Sequence, residues 1–386
     1  MKGPKMMRFL HTADWHIGRR LHGFDLTEEQ KNAFLQIQKI ALVENVDGVI
    51  IAGDLYDRSL PAEDSVGLLN SMIEKLNLTD KLPIYAISGN HDSAQRLSTG
   101  TKWFKQTNFY LHTQLKEAFE PVELPNTQVF MLPYFEIFEA QQYFNDDSIK
   151  DLDQAFKLII TEMKAAFDPK KFHLLVAHFF ADGSATTESE SKLRIGGLGA
   201  VPISLFKDFD YVALGHLHGK DALQTDHARY SGSPLKFSLS EANQKKGVYI
   251  IDTDPFKLTF KPIKPIRDVH SLTDSFNNLT DKAFYQKLAC QDFFGITLTD
   301  ETLIPNAMAR LRQIYPNIIA LNWENGYAAA LDYHGEKGQE IRQKDPMTLL
   351  TEFYEKVANE PLTSQQEKWA KAALKKASQP KDGGHN

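Results

Sequence analysis

The chain has a single cysteine, Cys290, in 386 residues. A lone thiol forms no internal disulfide, so the core must hold the fold, and a reducing compartment, the cytoplasm, is expected. No apolar run approaches the roughly 20 residues that span a bilayer. No apolar stretch of signal-peptide type precedes the first strand candidate, and the polar opening 1–5, which lies ahead of a second possible start at Met6 or Met7, is left out of the fold reading. Basic charge is scarce too: 44 Lys and Arg stand against 50 Asp and Glu, for a net charge of −6. A broad basic face for nucleic acid would need the opposite balance, unless bound metal ions reverse the sign locally. No G-x-x-x-x-G-K-[ST] stretch occurs, which excludes a P-loop in this chain, and "GGLGAVP" at 196–202 lacks the third glycine of a dinucleotide loop. Any dependence on ATP must therefore enter through a partner. There is no internal repeat.

What the chain does contain is apolar residues, at 42%, enough for a large core and a second, smaller unit. Up to about residue 268, short β-rich runs alternate with amphipathic stretches, the pattern of an α/β domain. Strands are expected at Arg8–Thr12, Gly48–Ala52, Ile84–Ser88, Val129–Pro133, His173–His178, Tyr211–Leu217 and Gly247–Asp252. Thr27 to Asn45 reads as a helix opened by a capping box of Thr27 and Gln30, with Phe34, Ile37, Ile40 and Ala41 on one face. After Pro262 and Pro265, Phe293–Thr299, Pro305–Tyr315 and Ile318–Trp323 read as strand, helix, strand. The expected division is a large α/β domain over 7–268, a small α+β domain over 269–325, a linker over 326–345 and a helical segment over 346–378. In that segment Asp345 and Pro346 open a helix bearing Met347, Leu350, Tyr354 and Val357 on one face, and a second helix, Thr363 to Ala377, carries Trp369 and Leu374. Two amphipathic helices with little chain left to bury them suit a partner, or else they pack on their own domain.

Five strand candidates run into residues of one chemical kind. "HTADWHIG" supplies Asp14 and His16, "AGDLYDR" supplies Asp54 and Asp57, and "SGNHD" supplies Asn90, His91 and Asp92; "VAHFF" and "LGHLHG" add His178, His216 and His218. Ligands collect outside the carboxyl ends of strands in open α/β sheets, so these residues can converge. Carboxylate, amide oxygen and neutral imidazole together suit manganese, iron or zinc. Asp-x-His and His-x-His, if extended, put both donors of a pair on one face. Seven candidates, Asp14, His16, Asp54, Asn90, His178, His216 and His218, are too many for one ion but suit two, with Asp54 as the bridge. Two divalent ions and two aspartates leave a charge of about +2, which attracts phosphate and favours hydroxide at neutral pH.

His91 follows Asn90 and, if extended, points away from the ions, so it reads as a non-ligand that could protonate a leaving oxygen. Its tautomer needs a partner, Asp57 first and Asp92 second. Arg58 could contact phosphate by its planar fork, and Arg19, Arg20, Lys192, Arg194 and Lys236 are further candidates for DNA phosphate or for plain solvation. Each segment is a weak signal alone. Five in order, each after an apolar run and a small residue, are a strong one.

In this order, D-x-H, G-D-x-x-D, G-N-H-D, a lone His and G-H-x-H, the residues resemble the calcineurin-like metallophosphoesterases. "HTADWHIGR", "AGDLYDRSLPAEDSV", "YSGSPLKFSLSEANQKKGV" and "TLTDETLIPNAMARLRQIYPNIIALNW" are similar in turn to the SbcD family of bacterial nuclease subunits, over nearly the whole chain. The resemblance implies two facing mixed β-sheets flanked by helices (α/β, the metallophosphoesterase fold), a small α+β capping domain and C-terminal partner-binding helices. It implies a manganese-dependent DNA exonuclease and hairpin endonuclease, with the seven residues above as metal ligands and His91 as the acid. It further implies a homodimer whose C-terminal helices bind the coiled coil of an SbcC-type ATPase. Two other classes compete. A metallophosphatase on small or protein phosphoesters would use the same ligands but has no need of the extra domain, and a catalytically idle adaptor would not need the complete ligand set.

Overall fold

The computed structural model describes residues 6–190, 199–324, 345–358 and 361–377. Lys192, Arg194 and the expected linker, apart from Asp345, lie outside the described residues. The chain divides into two compact units, Met1–His270 and Ser271–Asn386.

The first unit is built on two mixed sheets. One orders its strands as Phe256–Pro262, Gly247–Thr253, Arg8–Thr12, Gly48–Ala52, Ile84–Ile87 and Phe109–His112. From Arg8–Thr12 to Phe109–His112 the pairing is parallel, and Gly247–Thr253 and Phe256–Pro262 join antiparallel. The other orders Ala228–Tyr230, Tyr211–Gly215, Phe172–His178, Thr127–Leu132 and Val122–Glu123, parallel except for the last. Alternation of side chains divides each strand between two cores. Leu174 and Val176 join Val129, Met131, Tyr211 and Ala213, which pack with Phe9, Ile50, Ala52, Tyr85, Ile87 and Ile251 of the first sheet; this is the core between the sheets. Leu175 and Ala177 point the other way, with Phe130, Leu132, Val212 and Leu214, onto Phe156, Ile159 and Met163 of the helix Leu152–Ala165. Both faces of the inner strands are thus covered, which is why those strands read as unbroken apolar runs.

Seven expected strands are present, with ends shifted by up to two residues. Phe109–His112, Val122–Glu123, Ala228–Tyr230 and Phe256–Pro262 were not expected; they are short or, like Phe256–Pro262, half-exposed edge strands with weak alternation. The helix Thr27–Val43 forms without the capping box. Leu26 is its N-cap, Asp25 Oδ1 accepts from Thr27 N at 2.8 Å, and the Gln30 side chain is buried and used elsewhere.

The second unit orders the strands Val269–Asp274, Phe293–Leu298 and Ile318–Trp323 in a small sheet, the last two parallel. Phe276, Leu279, Phe294, Ile296, Leu311 and Tyr315 form its core. The helix between the parallel strands covers only Ala307–Leu311 of the expected Pro305–Tyr315. Pro346–Ala358 and Ser364–Ala377 are helical as expected. Asp345 Oδ2 accepts from Met347 N at 3.1 Å, and Thr363 Oγ1 from Gln366 N at 3.3 Å while the Gln366 side chain accepts from Thr363 N at 2.8 Å, a reciprocal cap. Gln366 Nε2 donates to Tyr354 Oη at 2.7 Å and ties the pair together.

Candidate metal centre

Five strands of the two sheets end at one place. The loops after Arg8–Thr12 and Gly48–Ala52 run side by side, with Asp14 N donating to Gly53 O at 3.0 Å, His16 N to Asp54 O at 3.0 Å and Ile17 N to Leu55 O at 2.9 Å. Asp14, His16, Asp54 and His216 take left-handed backbone, at φ 53°, 44°, 51° and 99°. The Asp-x-His and His-x-His pairs therefore sit on turns just past the strands and not in extended chain, so their convergence comes from the turns and not from strand alternation. Four such residues in one cluster store strain of order 1–3 kcal/mol each, which the surrounding packing must hold. Close approach is built in as well. A Cβ on Gly89 would lie 2.2 Å from Asp54 Oδ1, and one on Gly215 would lie 1.8 Å from Ala52 O and 2.8 Å from His178 Nδ1.

All seven candidate ligands meet here. Asp54 Oδ2 lies 3.5 Å from His16 Nε2 and 3.4 Å from His178 Nε2, the central position expected of a bridge. Asn90 Oδ1 lies 3.0 Å from His178 Nε2 and 2.9 Å from His216 Nδ1, and His16 Nε2 faces His218 Nε2 at 3.1 Å. Asp14 Oδ1 accepts from His216 N at 2.9 Å, but Asp14 Oδ2 and His16 Nδ1 are buried with no hydrogen-bond partner. Orphaned buried atoms of this kind are costly unless something else satisfies them. Three groups, Asp14–His16–His218, Asp14–Asp54–His178 and His16–Asp57–His91, bring one donor atom from each residue within 4.8 Å of the others. The donor set fits divalent metal ions.

The electrostatics without ions agree. Burial pushes the Asp14 carboxyl well above the usual range. Burial would raise Asp54 too, but the charge and hydrogen bond of His178, with His16, hold it below. His178 is raised to about 9 because Asp54 outweighs burial, whereas burial lowers His16, His218 and, to about 3, His216. His178 Nδ1 donates to Ala52 O at 2.8 Å, which turns Nε2 toward the cluster.

His91 stands at the edge, its ring 4.7 Å from that of His16 and its N donating to Asp54 Oδ1 at 2.9 Å. Its expected partner is Asp57, and the contact is there, but through the main chain: Nδ1 lies 2.8 Å from Asp57 O. The Asp57 carboxylate turns instead to Arg19 Nη1 at 3.0 Å and His16 Nδ1 at 3.9 Å. The Asp92 carboxylate accepts from Leu55 N, Tyr56 N and Gly89 N at 2.9 to 3.1 Å and ties two ligand loops together.

The cationic candidates separate by their partners. Arg19 is held by Asp57, by Ser189 O at 2.8 Å and over the Phe237 ring. Lys236 is paired with Asp268 at 2.8 Å, and Arg20 donates to Gly23 O. Arg58 keeps an 81% exposed side chain 3.6 Å from the Asp57 carboxylate.

Comparison with known proteins then places the chain. The calcineurin-like phosphoesterase model matches residues 7–220, and a model described as the type 5 capsule protein repressor C-terminal domain, SbcD_C, matches 265–358. The D subunit of the SbcCD nuclease of Staphylococcus epidermidis is 37% identical over 93% of this chain and 96% of its own, and that of Staphylococcus saprophyticus is 34% identical over 94% and 96%. The chain belongs to the SbcD family of calcineurin-like phosphoesterases. It is thus a phosphoester-cleaving hydrolase of a family that uses divalent metals. Among solved structures, TT1561 of Thermus thermophilus aligns with 67% of this chain and 100% of its own at 13% identity and a TM-score of 0.42, too weak a likeness to carry the fold.

For this SbcD-family chain, reading along the sequence missed the groups behind the cluster. Gln30 Nε2 donates to His16 O at 2.8 Å and Gln30 Oε1 accepts from Gly18 N at 3.2 Å, so a residue read as a helix cap steadies a ligand loop. Ser189, Glu190, Glu241 and Lys246 surround His218, all buried. "SLSEANQKKGV" carried two of them, yet a glutamate and a lysine five apart look the same in sequence whether solvated or buried.

Proposed function

We propose that this chain is the nuclease subunit of an SbcC–SbcD type complex, a two-metal DNA phosphodiesterase that shortens duplex ends and opens hairpins or blocked ends. What supports the reading is the convergence of seven donor side chains from five strand ends, with His91 held beside them. Asp14, His16, Asp54, Asn90, His178, His216 and His218 would hold the ions, Asp54 between them, and a mixed oxygen and imidazole set suits Mn2+. When bound, the ions bring positive charge to the phosphate oxygens and make a nucleophile of water at neutral pH.

The chain's own residues position groups and move protons. His91 Nδ1 is fixed on Asp57 O, so Nε2 is the nitrogen that delivers a proton to the oxygen leaving phosphorus. Burial of the cluster keeps His16, His216 and His218 neutral and able to ligate. Arg58, with its exposed side chain, would contact a phosphate, and Lys192 and Arg194 are assigned the same task.

Residues 7–268 would form the nuclease domain, 269–325 the cap, 326–345 a linker and 346–378 the helices that bind the ATPase. A homodimer is supported by an apolar cleft of about 730 Å³ that includes the exposed Leu60, Leu78 and Trp103. A cytoplasmic setting is supported by the free thiol of Cys290; no helix among the described residues is long and apolar enough to cross a membrane.

The decisive experiment compares linear and hairpin duplex DNA with an aryl phosphate monoester in Mn2+. Cleaved DNA with slow monoester turnover is expected, and rapid monoester turnover with intact DNA would sink the nuclease reading. Removing residues 346–386 should release the ATPase partner in a pull-down while Mn2+-dependent hydrolysis of a small diester persists.

A further inference from the structure

Ser189 stands where two chains of contacts meet. Its hydroxyl is 2.6 Å from His218 Nδ1 and donates to Glu241 Oε1 at 2.6 Å. Glu241 is fully buried, accepts also from Phe237 N at 3.1 Å and Ser238 Oγ at 3.0 Å, and pairs with Lys246. The Lys246 ammonium in turn reaches His218 O at 2.8 Å, Ser233 Oγ at 3.0 Å and Gln244 Oε1 at 2.9 Å. The polarity of this relay follows from the donor count. A carboxylate paired with a lysine only accepts, so the one hydroxyl proton of Ser189 goes to Glu241. Ser189 Oγ must then accept from His218 Nδ1–H, and the lone pair of His218 lies on Nε2, the atom facing His16 Nε2 at 3.1 Å. Glu241 is 4.0 Å from His218 Nδ1, too far to replace the serine.

The second chain starts at the main-chain carbonyl of Ser189. It accepts from Arg19 Nη2 at 2.8 Å; Arg19 Nη1 donates to Asp57 Oδ1 at 3.0 Å; and Asp57 O lies 2.8 Å from His91 Nδ1. The segment itself is latched from both sides, because Glu190 Oε1 accepts from His218 N at 2.6 Å and Ser240 Oγ from Glu188 N at 3.1 Å.

We propose that Ser189 is a positioning residue for both halves of the centre: its hydroxyl sets the tautomer of His218, and its carbonyl, through Arg19 and Asp57, sets the place of His91. The inference rests on the metal assignment above. It separates into two effects with different readouts. Loss of the hydroxyl acts on ion affinity, whereas loss of the Arg19 link acts on turnover.

The test measures Mn2+ binding by calorimetry and hydrolysis of a dinucleotide phosphodiester, whose alkoxide leaving group needs a proton, at saturating Mn2+ for wild type, Ser189→Ala, Ser189→Thr and Arg19→Met. Ser189→Ala should weaken Mn2+ binding roughly 10- to 100-fold, with Ser189→Thr restoring it. Arg19→Met should leave Mn2+ affinity within about threefold and lower kcat more than it raises KM, because the guanidinium it removes hydrogen-bonds to Asp57 and Ser189 O and to no ion ligand. Wild-type affinity in Ser189→Ala, or a loss in Ser189→Thr as large as in Ser189→Ala, would overturn the hydroxyl assignment. If Ser189→Ala fails to fold, Arg19→Met still decides the other half, since an unchanged kcat there would refute it. A wild type that binds fewer than two ions overturns the metal assignment first, and this inference with it.

Discussion

Gly215→Ala puts one methyl group into the seam between the two sheets at the candidate metal centre. Gly215 ends the strand Tyr211–Gly215, and a Cβ there would sit 1.8 Å from Ala52 O, 2.9 Å from Ala52 C and 2.8 Å from His178 Nδ1. Carbon and oxygen need more than about 3 Å, so the strands Tyr211–Gly215 and Gly48–Ala52 must part by roughly 1 Å or more at their ends. That movement lengthens the 2.8 Å bond from His178 Nδ1 to Ala52 O beyond hydrogen-bonding range. Overpacking of a core costs about 1–3 kcal/mol, and a buried donor left without its acceptor costs about 1–3 kcal/mol more. The sum, about 2–6 kcal/mol, is a large part of the roughly 5–15 kcal/mol that holds a domain together. The His178 ring also loses its orientation, so Mn2+ affinity should fall about 10- to 100-fold. Urea unfolding in chelator, followed by calorimetry with Mn2+, measures both terms. Gly67→Ala is the control: Gly67 is in the helix Glu63–Glu74 with nothing within 4 Å of the place its added methyl would take, so Ala there should stabilise by roughly 0.5–1 kcal/mol. A loss below about 1 kcal/mol for Gly215→Ala, with normal Mn2+ affinity, would refute the claim that the glycine is there to let the sheets close on His178.

His91→Asn should lower cleavage of DNA by about 10²–10⁴-fold with the ion stoichiometry unchanged, because it removes a proton donor and no ligand; full-rate cleavage would remove His91 from the reaction. Metal binding should release protons at pH 7. His178 without ions is raised to about 9 and burial raises Asp14, so both tend to hold a proton that an ion must displace. Affinity should therefore strengthen as pH rises toward 9, level off above it and weaken below. Calorimetry in buffers of different ionisation enthalpy reads the count directly, and no released proton would contradict the assignment of His178. Trp103→Glu should shift the protein toward monomer in sedimentation, since it charges an apolar cleft proposed to seat a second copy; an unchanged mass would move the dimer contact elsewhere.

The cluster of candidate ligands was legible along the chain because ligand types follow apolar runs and glycines: Asp54 after Gly53, Asn90 after Gly89, His216 after Gly215. Those glycines carry local information, since each is required by a close approach or a turn at its own position. The seven strands of the two cores were legible for a similar reason, as burial on both faces writes an unbroken apolar run into five or six consecutive residues. Edge strands such as Phe256–Pro262, in which no residue is fully buried, leave no such mark.

Partnership is where tertiary structure decided. Gln30 has the right spacing for a capping box with Thr27, but the fold brings His16 O and Gly18 N within its reach, and two bonds to a buried ligand loop replace one at an exposed helix end. Asp57 is beside His91 as expected, yet the turn directs its carbonyl to that ring and its carboxylate to Arg19. Ser189 and Glu241 are 52 positions apart, and no local pattern pairs them. Residue type and spacing determine which atoms can bind a cation; which of them face one another, and through which atom, depends on turns and sheet packing that the chain acquires only when both sheets have closed.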